Sequence, residues 1–95
     1  FAGRAGIRQV VVDDEEEVEI AYTFRRDLWG RGLASEITRA LTNIGLLQLQ
    51  LRSLVGVVSV ENGASRRVLE KSNFSLERST TFHGEAVVIY RSPSI

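Results

Sequence analysis

Apolar and polar residues alternate along Val18-Glu19-Ile20-Ala21-Tyr22-Thr23-Phe24. Val18, Ile20, Tyr22 and Phe24 fall on one face, and Glu19, Ala21 and Thr23 on the other. A period of two predicts a strand with unlike faces. From Leu33 the spacing changes: Leu33, Ile37, Ala40, Leu41, Ile44 and Leu47 recur at intervals of three and four. They form one stripe on a helix of about five turns, ending near Leu49. Glu36 in its first turn suits the helix dipole, whereas Gly45 costs it about 1 kcal/mol relative to alanine.

The same patterning extends both ways. Ile7 to Val12 is β-branched enough for a strand, although Gly3 and Gly6 weaken its beginning. Asp13 to Glu17 is five acids in a row, read either as a solvated hairpin turn or as a rim that attracts amines. Arg52 to Val60 reads as a strand buried on both faces, and Gly56 in its middle predicts a close approach to the backbone. Asn62 is a good N-cap for a short helix, Gly63 to Ser72, with Val68 and Leu69 facing inward. Asn73 tolerates the left-handed conformation that ends helices. Phe74 to Phe82 and Glu85 to Arg91 are strands joined by a two-residue turn, His83-Gly84. The tail beyond Arg91 holds the only proline and is expected to be loose. The order β-β-α-β-α-β-β predicts an α/β fold, a mixed sheet with helices packed on it.

Between the alternating strand and the first helix lies Leu28-Trp29-Gly30-Arg31-Gly32-Leu33-Ala34. A strand feeding a helix through glycines leaves backbone N–H groups at a positive helix end, a natural seat for phosphate. The alternative is a plain tight connection, since Gly-x-Gly alone is weakly specific.

Composition narrows the classes. Ninety-five residues make at most one small domain. Twelve basic residues balance twelve acidic ones, so no net field draws the chain to nucleic acid or an anionic membrane. Cysteine is absent, which excludes disulfides, thiolate catalysis and cysteine-bound zinc. One histidine and no His/Asp/Glu cluster argue against a metal site. No apolar run approaches the roughly 20 residues that span a bilayer and no signal-peptide pattern is present, so a soluble cytoplasmic protein is expected. A first residue of Phe1 in place of Met points to a processed form or a fragment.

Together, the turn, the helix after it and the Asn-led helix resemble the Gcn5-related N-acetyltransferase (GNAT) superfamily. Within it the chain is most similar to the ribosomal-protein N-terminal acetyltransferases of the RimJ/RimL type. Their Trp-Gly-x-Gly-hydrophobic-Ala-x-Glu run matches Trp29, Gly30, Gly32, Leu33, Ala34 and Glu36. Leu51 and Asn62 stand at the family's spacing, and Asn62, Ser65, Val68, Leu69, Glu70, Lys71 and Phe74 match the segment that follows. Asp27 departs from the Arg or Gln that opens the family's Arg/Gln-x-x-Gly-x-Gly/Ala hallmark, Val60 from a common proline and Asn73 from a glycine. The family's domain begins with a strand, two helices and another strand that have no counterpart here. The resemblance therefore implies that residues 1–95 are a single partial acetyltransferase domain, its cofactor-binding half, with a largely antiparallel GNAT-type sheet truncated at the N-terminus.

What the resemblance implies for chemistry is specific. Backbone N–H groups of Trp29, Gly30, Arg31, Gly32, Leu33 and Ala34 would cradle the pyrophosphate of acetyl-CoA, with side-chain charge from Arg31 and with Arg26 in place of the missing hallmark arginine. The strand at Tyr22, Thr23 and Phe24 would splay from the strand at Leu54 to Val58, so that pantetheine enters like an added strand. Asn62 would bond the pantetheine arm or acetyl group, cap its helix, or do both. Ser65 would steady the departing thiolate, because the tyrosine many relatives use is replaced by Leu69. Glu19 would take the amine's proton directly or through a water, with Glu17 in reserve; the rival role for Glu19 is a strand carboxylate paired with an arginine. His83, the sole histidine, sits in a hairpin turn, which weakens it as a base. The implied activity is N-acetylation of a primary amine, on a protein N-terminus or a small molecule, by direct attack and without a metal. The rival is a non-catalytic acyl-CoA-binding or incomplete module. An uncovered sheet edge and helix-packing surface predict a homodimer or poor solubility.

Overall fold

The computed structural model describes residues 3–24 and 33–93. Two hairpins build most of it. Strands β1 (Gly3–Val12) and β2 (Glu15–Phe24) pair antiparallel from Gly3↔Phe24 to Val12↔Glu15. Their turn is Asp13-Asp14 alone, both at positive φ (51° and 65°), a conformation aspartate tolerates. The acidic run is thus mostly strand: Glu15, Glu16 and Glu17 belong to β2, five residues in all being too many for a two-residue turn. The second hairpin joins β4 (Ser75–Phe82) and β5 (Glu85–Arg91) through His83 and Gly84, at φ 51° and 79°, as the sequence predicts.

Between the hairpins come helix α1 (Leu33–Asn43), strand β3 (Val55–Ser59) and helix α2 (Gly63–Lys71). The five strands form one sheet in the order β1-β2-β3-β5-β4. All pairings are antiparallel except β2 with β3, which is parallel and has a single rung, Glu19↔Val55. The mixed sheet with helices packed on it is the architecture expected from the element order, and its mostly antiparallel pairing is what the family resemblance implies.

Two apolar clusters sit on opposite faces of the sheet. Ile20, Leu54, Val58, Leu69, Phe74, Val88 and Tyr90 form the cluster under α2, and Val12, Val55, Val87 and Ile89 the other. Helix α2 is placed by its ends. Asn62 caps it, its Oδ1 accepting the Ser65 N–H at 3.1 Å. Asn73 at φ 67° ends it, and the Phe74 N–H donates to the Leu69 carbonyl at 2.9 Å in a Schellman arrangement.

Helix α1 departs from expectation in two ways. It gives way after Asn43 to a π turn, Ile44–Gln48, in which the Leu49 N–H reaches back to the Ile44 carbonyl. Its buried face also lies one residue C-terminal to the apolar stripe: Ala34, Thr38, Thr42, Gly45 and Leu46 are buried, while Ala40, Ile44 and Leu47 are exposed. Thr38 and Thr42 can be buried because their hydroxyls donate to the carbonyls four residues back, Ala34 and Thr38, at 2.7 Å each. Gly45 is tight by need, since a Cβ there would lie 3.1 Å from Leu54 Cδ1. The tail is not loose at its start either. Ser92 is buried, its N–H donates to the Leu54 carbonyl at 2.9 Å, and its Oγ accepts the Leu54 N–H at 2.9 Å.

Candidate functional site

The single rung joining β2 to β3 falls at Val55, the first residue of β3, so the two strands part beyond it. Among the described residues, β2 beyond Glu19 has no rung with β3, although Ala21, Tyr22, Thr23 and Phe24 stay paired with β1. A cleft of about 280 Å³ occupies the opening. Residues 19–21 of β2 and 56–58 of β3 are its walls, Ser65 and Leu69 of α2 close one side, and Arg8 of β1 edges the other.

Strand alternation explains why the cleft has two chemically different sides. Ile20 and Val58 turn toward α2 and pack in the cluster that contains Leu69, whereas Val57 packs in the opposite cluster. Glu19 and Ala21, offset by one residue from Ile20, lie on the face opposite α2. The opening therefore passes through the sheet, with the Ser65 side at one end and the Glu19 side at the other. Gly56 lets α2 close over it: a Cβ at Gly56 would lie 2.7 Å from Leu69 Cδ1. The close approach predicted at Gly56 is thus that of a helix side chain.

Glu19 and Ser65 are brought to the same cleft. The Glu19 side chain is 6% exposed, and its Oε1 accepts from Arg8 Nε at 2.8 Å. The pairing with an arginine expected as the rival role of Glu19 is thus present, and its partner is Arg8, which no motif singles out. A two-residue turn at positions 13 and 14 pairs residues whose numbers sum to 27, and Arg8 with Glu19 is such a pair. A turn of all five acids would give a different register. Ser65 is buried beneath the Asn62 cap.

Other candidates lie elsewhere. Glu17 is held by Arg91 in a two-pronged ion pair at 2.8 and 2.9 Å, away from the cleft. His83 occupies the β4–β5 turn, edge-on to Phe82 at 4.2 Å. Asn62 is exposed at the head of α2, with its capping role in place. Tyr22, Thr23 and Phe24 form the end of β2. Leu33 and Ala34 open α1. Arg26, Asp27, Trp29, Gly30, Arg31 and Gly32 lie outside the described residues. No group of three or more His, Cys, Asp or Glu side chains among the described residues is arranged to hold a metal. None of the described helices is long and apolar enough to cross a membrane.

Away from the cleft, ion pairs tie the hairpins together. Arg91 on β5 also donates to Glu77 on β4 at 2.9 Å, and this keeps the Glu77 carboxyl below the usual glutamate range. Asp13 accepts from Thr80 Oγ1 at 2.7 Å and from Arg78 Nε at 3.0 Å, and its pKa is lowered by these two bonds in that order. The hydroxyl of Tyr90 on β5 reaches α2, donating to Glu70 at 2.7 Å and accepting from Arg66 Nε at 3.1 Å. Burial first, and then the Glu70 bond, raises the Tyr90 pKa.

The family model that describes an acetyltransferase (GNAT) domain matches residues 1–75. The uncharacterized protein YkkB of Bacillus subtilis (strain 168) is 29% identical over 94 residues, 99% of this chain and 55% of that protein. An acetyltransferase crystal structure from Agrobacterium tumefaciens superposes with a TM-score of 0.80 at 28% identity, covering 98% of this chain and 53% of that one. Aminoglycoside acetyltransferase AAC(6')-Ib, solved with coenzyme A, shares the fold at a TM-score of 0.73 and 20% identity, over 79% of this chain and 44% of that one. The chain thus spans about half the length of these relatives. On the match to residues 1–75, this chain belongs to the GNAT acetyltransferase family.

Proposed function

We propose that the chain holds acetyl-CoA in the β2–β3 opening and serves the transfer of its acetyl group to a primary amine, on a protein N-terminus or a small molecule. One observation carries this: parallel strands that part after a single rung, with a carboxylate on one side of the opening and a hydroxyl on the other. Separated strands leave backbone N–H and C=O groups able to take an extended chain as a strand would be taken, and pantetheine is such a chain. The expected contacts are main-chain groups of Tyr22, Thr23 and Phe24. Trp29, Gly30, Arg31, Gly32, Leu33 and Ala34 would hold the pyrophosphate where the turn meets the N-terminus of α1. Asn62 would reach the arm from the head of α2.

Acetyl-CoA, when bound, supplies a thioester carbonyl open to attack. The chain's residues do the rest. Glu19 accepts the proton an amine must lose before or during attack, directly or through one water. Ser65, on the other side of the sheet, donates a hydrogen bond to the developing thiolate; a hydroxyl is a weak acid, so its effect is orientation and charge stabilisation. The reaction needs no covalent enzyme intermediate and no metal. The Trp29 to Glu36 run supports a place near the ribosomal-protein N-terminal acetyltransferases.

A second reading is favoured by the chain's coverage of about half its relatives: an acyl-CoA-binding module that performs no transfer. Coenzyme A titration combined with thiol release over an amine panel separates the two. Binding with turnover supports the enzyme, binding without turnover supports the module, and no binding contradicts both. Within the enzyme reading, Glu19→Gln is expected to lower kcat by 10²-fold or more, the usual scale for a general base.

A further inference from the structure

We propose that the Arg8–Glu19 pair recognises the acceptor, and that the acceptor is a small zwitterion whose carboxylate lies close to its amine, an α-amino acid or a near analogue. This rests on the reading of the cleft as an acetyl-transfer site and narrows its substrate class.

The geometry is asymmetric in a telling way. Glu19 is buried and Arg8 is not: their side chains are 6% and 65% exposed. The buried carboxylate grips the guanidinium at Nε, 2.8 Å away, using one of its five donors. That bond leaves the two terminal amino groups outside it and anchors the guanidinium at the edge of the cleft. An arginine fixed at Nε presents the planar fork that matches a carboxylate with two parallel hydrogen bonds. Because Glu19 already restrains the side chain, less rotamer freedom is lost when that fork is engaged.

Beside it, the Glu19 carboxylate favours a cation. Guanidinium and carboxylate in contact are the complement of carboxylate and ammonium in contact, which is an α-amino acid. The pair lies on the sheet face opposite α2 and Ser65. An acceptor seated there approaches the opening from the side opposite the thiolate-stabilising hydroxyl, and its ammonium proton meets Glu19. A protein N-terminus offers an amide where the fork seeks a carboxylate. Fold stability gives little reason for the pair, because an ion pair whose cationic partner is exposed contributes little.

The test is a binding titration of the whole chain, by calorimetry in the presence of coenzyme A, with proteinogenic α-amino acids and the α-amide of each. Turnover is not required. The expected result is that at least one acid binds ten times or more tightly than its own amide. Arg8→Gln is expected to remove that preference, and Arg8→Lys, which keeps the charge but not the fork, to keep only part of it, with folding checked by circular dichroism. Acid and amide binding alike, or neither binding, overturns the proposal, as does a preference that survives Arg8→Gln. The wild-type comparison stands even if the variants fail to fold. Failure of coenzyme A to bind in the same titrations counts against the acetyl-transfer reading; loss of the acid preference with coenzyme A bound counts against the acceptor class alone.

Discussion

Gly56 has no side chain, and Leu69 of α2 occupies the space one would need. With Leu69 only 1% exposed, it has little room to swing aside. Gly56→Ala is therefore expected to cost about 1–3 kcal/mol through overpacking. Leu69→Ala alone should cost about 2–5 kcal/mol. Because the two residues touch, the double variant should lose clearly less than the sum. Urea denaturation of the three variants checks this; strict additivity would mean that Leu69 is not what demands the glycine. The glycine itself is legible from sequence, in the middle of an otherwise β-branched run, but its partner is not, because the contact joins residues thirteen apart on different elements. Glu19 and Ser65 were legible as candidates for the same reason that Arg8 was not. They stand at recognisable positions relative to motifs, whereas Arg8 acquires its place only through the hairpin register.

Among the elements, α2 is the most legible, since a cap, an inward pair and a left-handed terminator are all local signals. Helix α1 is the least. Its apolar stripe predicted the buried face, yet threonines that satisfy their own hydroxyls sit inside while Ile44 and Leu47 face out. Apolar periodicity cannot register a buried threonine, and nothing in it announces a π turn. The strands are tied by Arg91, which joins β5 to Glu17 on β2 and Glu77 on β4. Glu17 is 12% exposed at its side chain, between the surface and buried extremes. Arg91→Met is thus expected to cost about 2 kcal/mol at neutral pH. The Glu77 carboxyl titrates lower in the folded chain than its ordinary value of 4.5, chiefly because of its bond to Arg91. Its stabilisation is complete above that value and is lost as pH falls through the lowered folded value. The penalty of Arg91→Met should therefore shrink in strongly acidic solution; a penalty that is the same at neutral pH and below pH 3 would show that the charge pairs contribute little.

Across the whole molecule, the described surface leaves Leu47 and Leu49 at 61% and 57% exposure beside Ile44, and Val11 exposed on the outer strand β1. Such a surface favours self-association. The proposed homodimer predicts a sedimentation coefficient that rises with protein concentration and falls back when Leu47 and Leu49 are both replaced by glutamate. Concentration-independent monomer would remove the dimer without touching the cleft. The central claim concerns that cleft: the parting of β2 from β3 receives the cofactor. The most direct measurement is amide chemical-shift mapping of the whole chain during titration with coenzyme A. Cofactor held in the opening predicts saturable shifts concentrated at Ala21 to Phe24 of β2, Gly56 to Val58 of β3 and the first turn of α2. Absence of binding, or shifts that spare both strand edges, would contradict it.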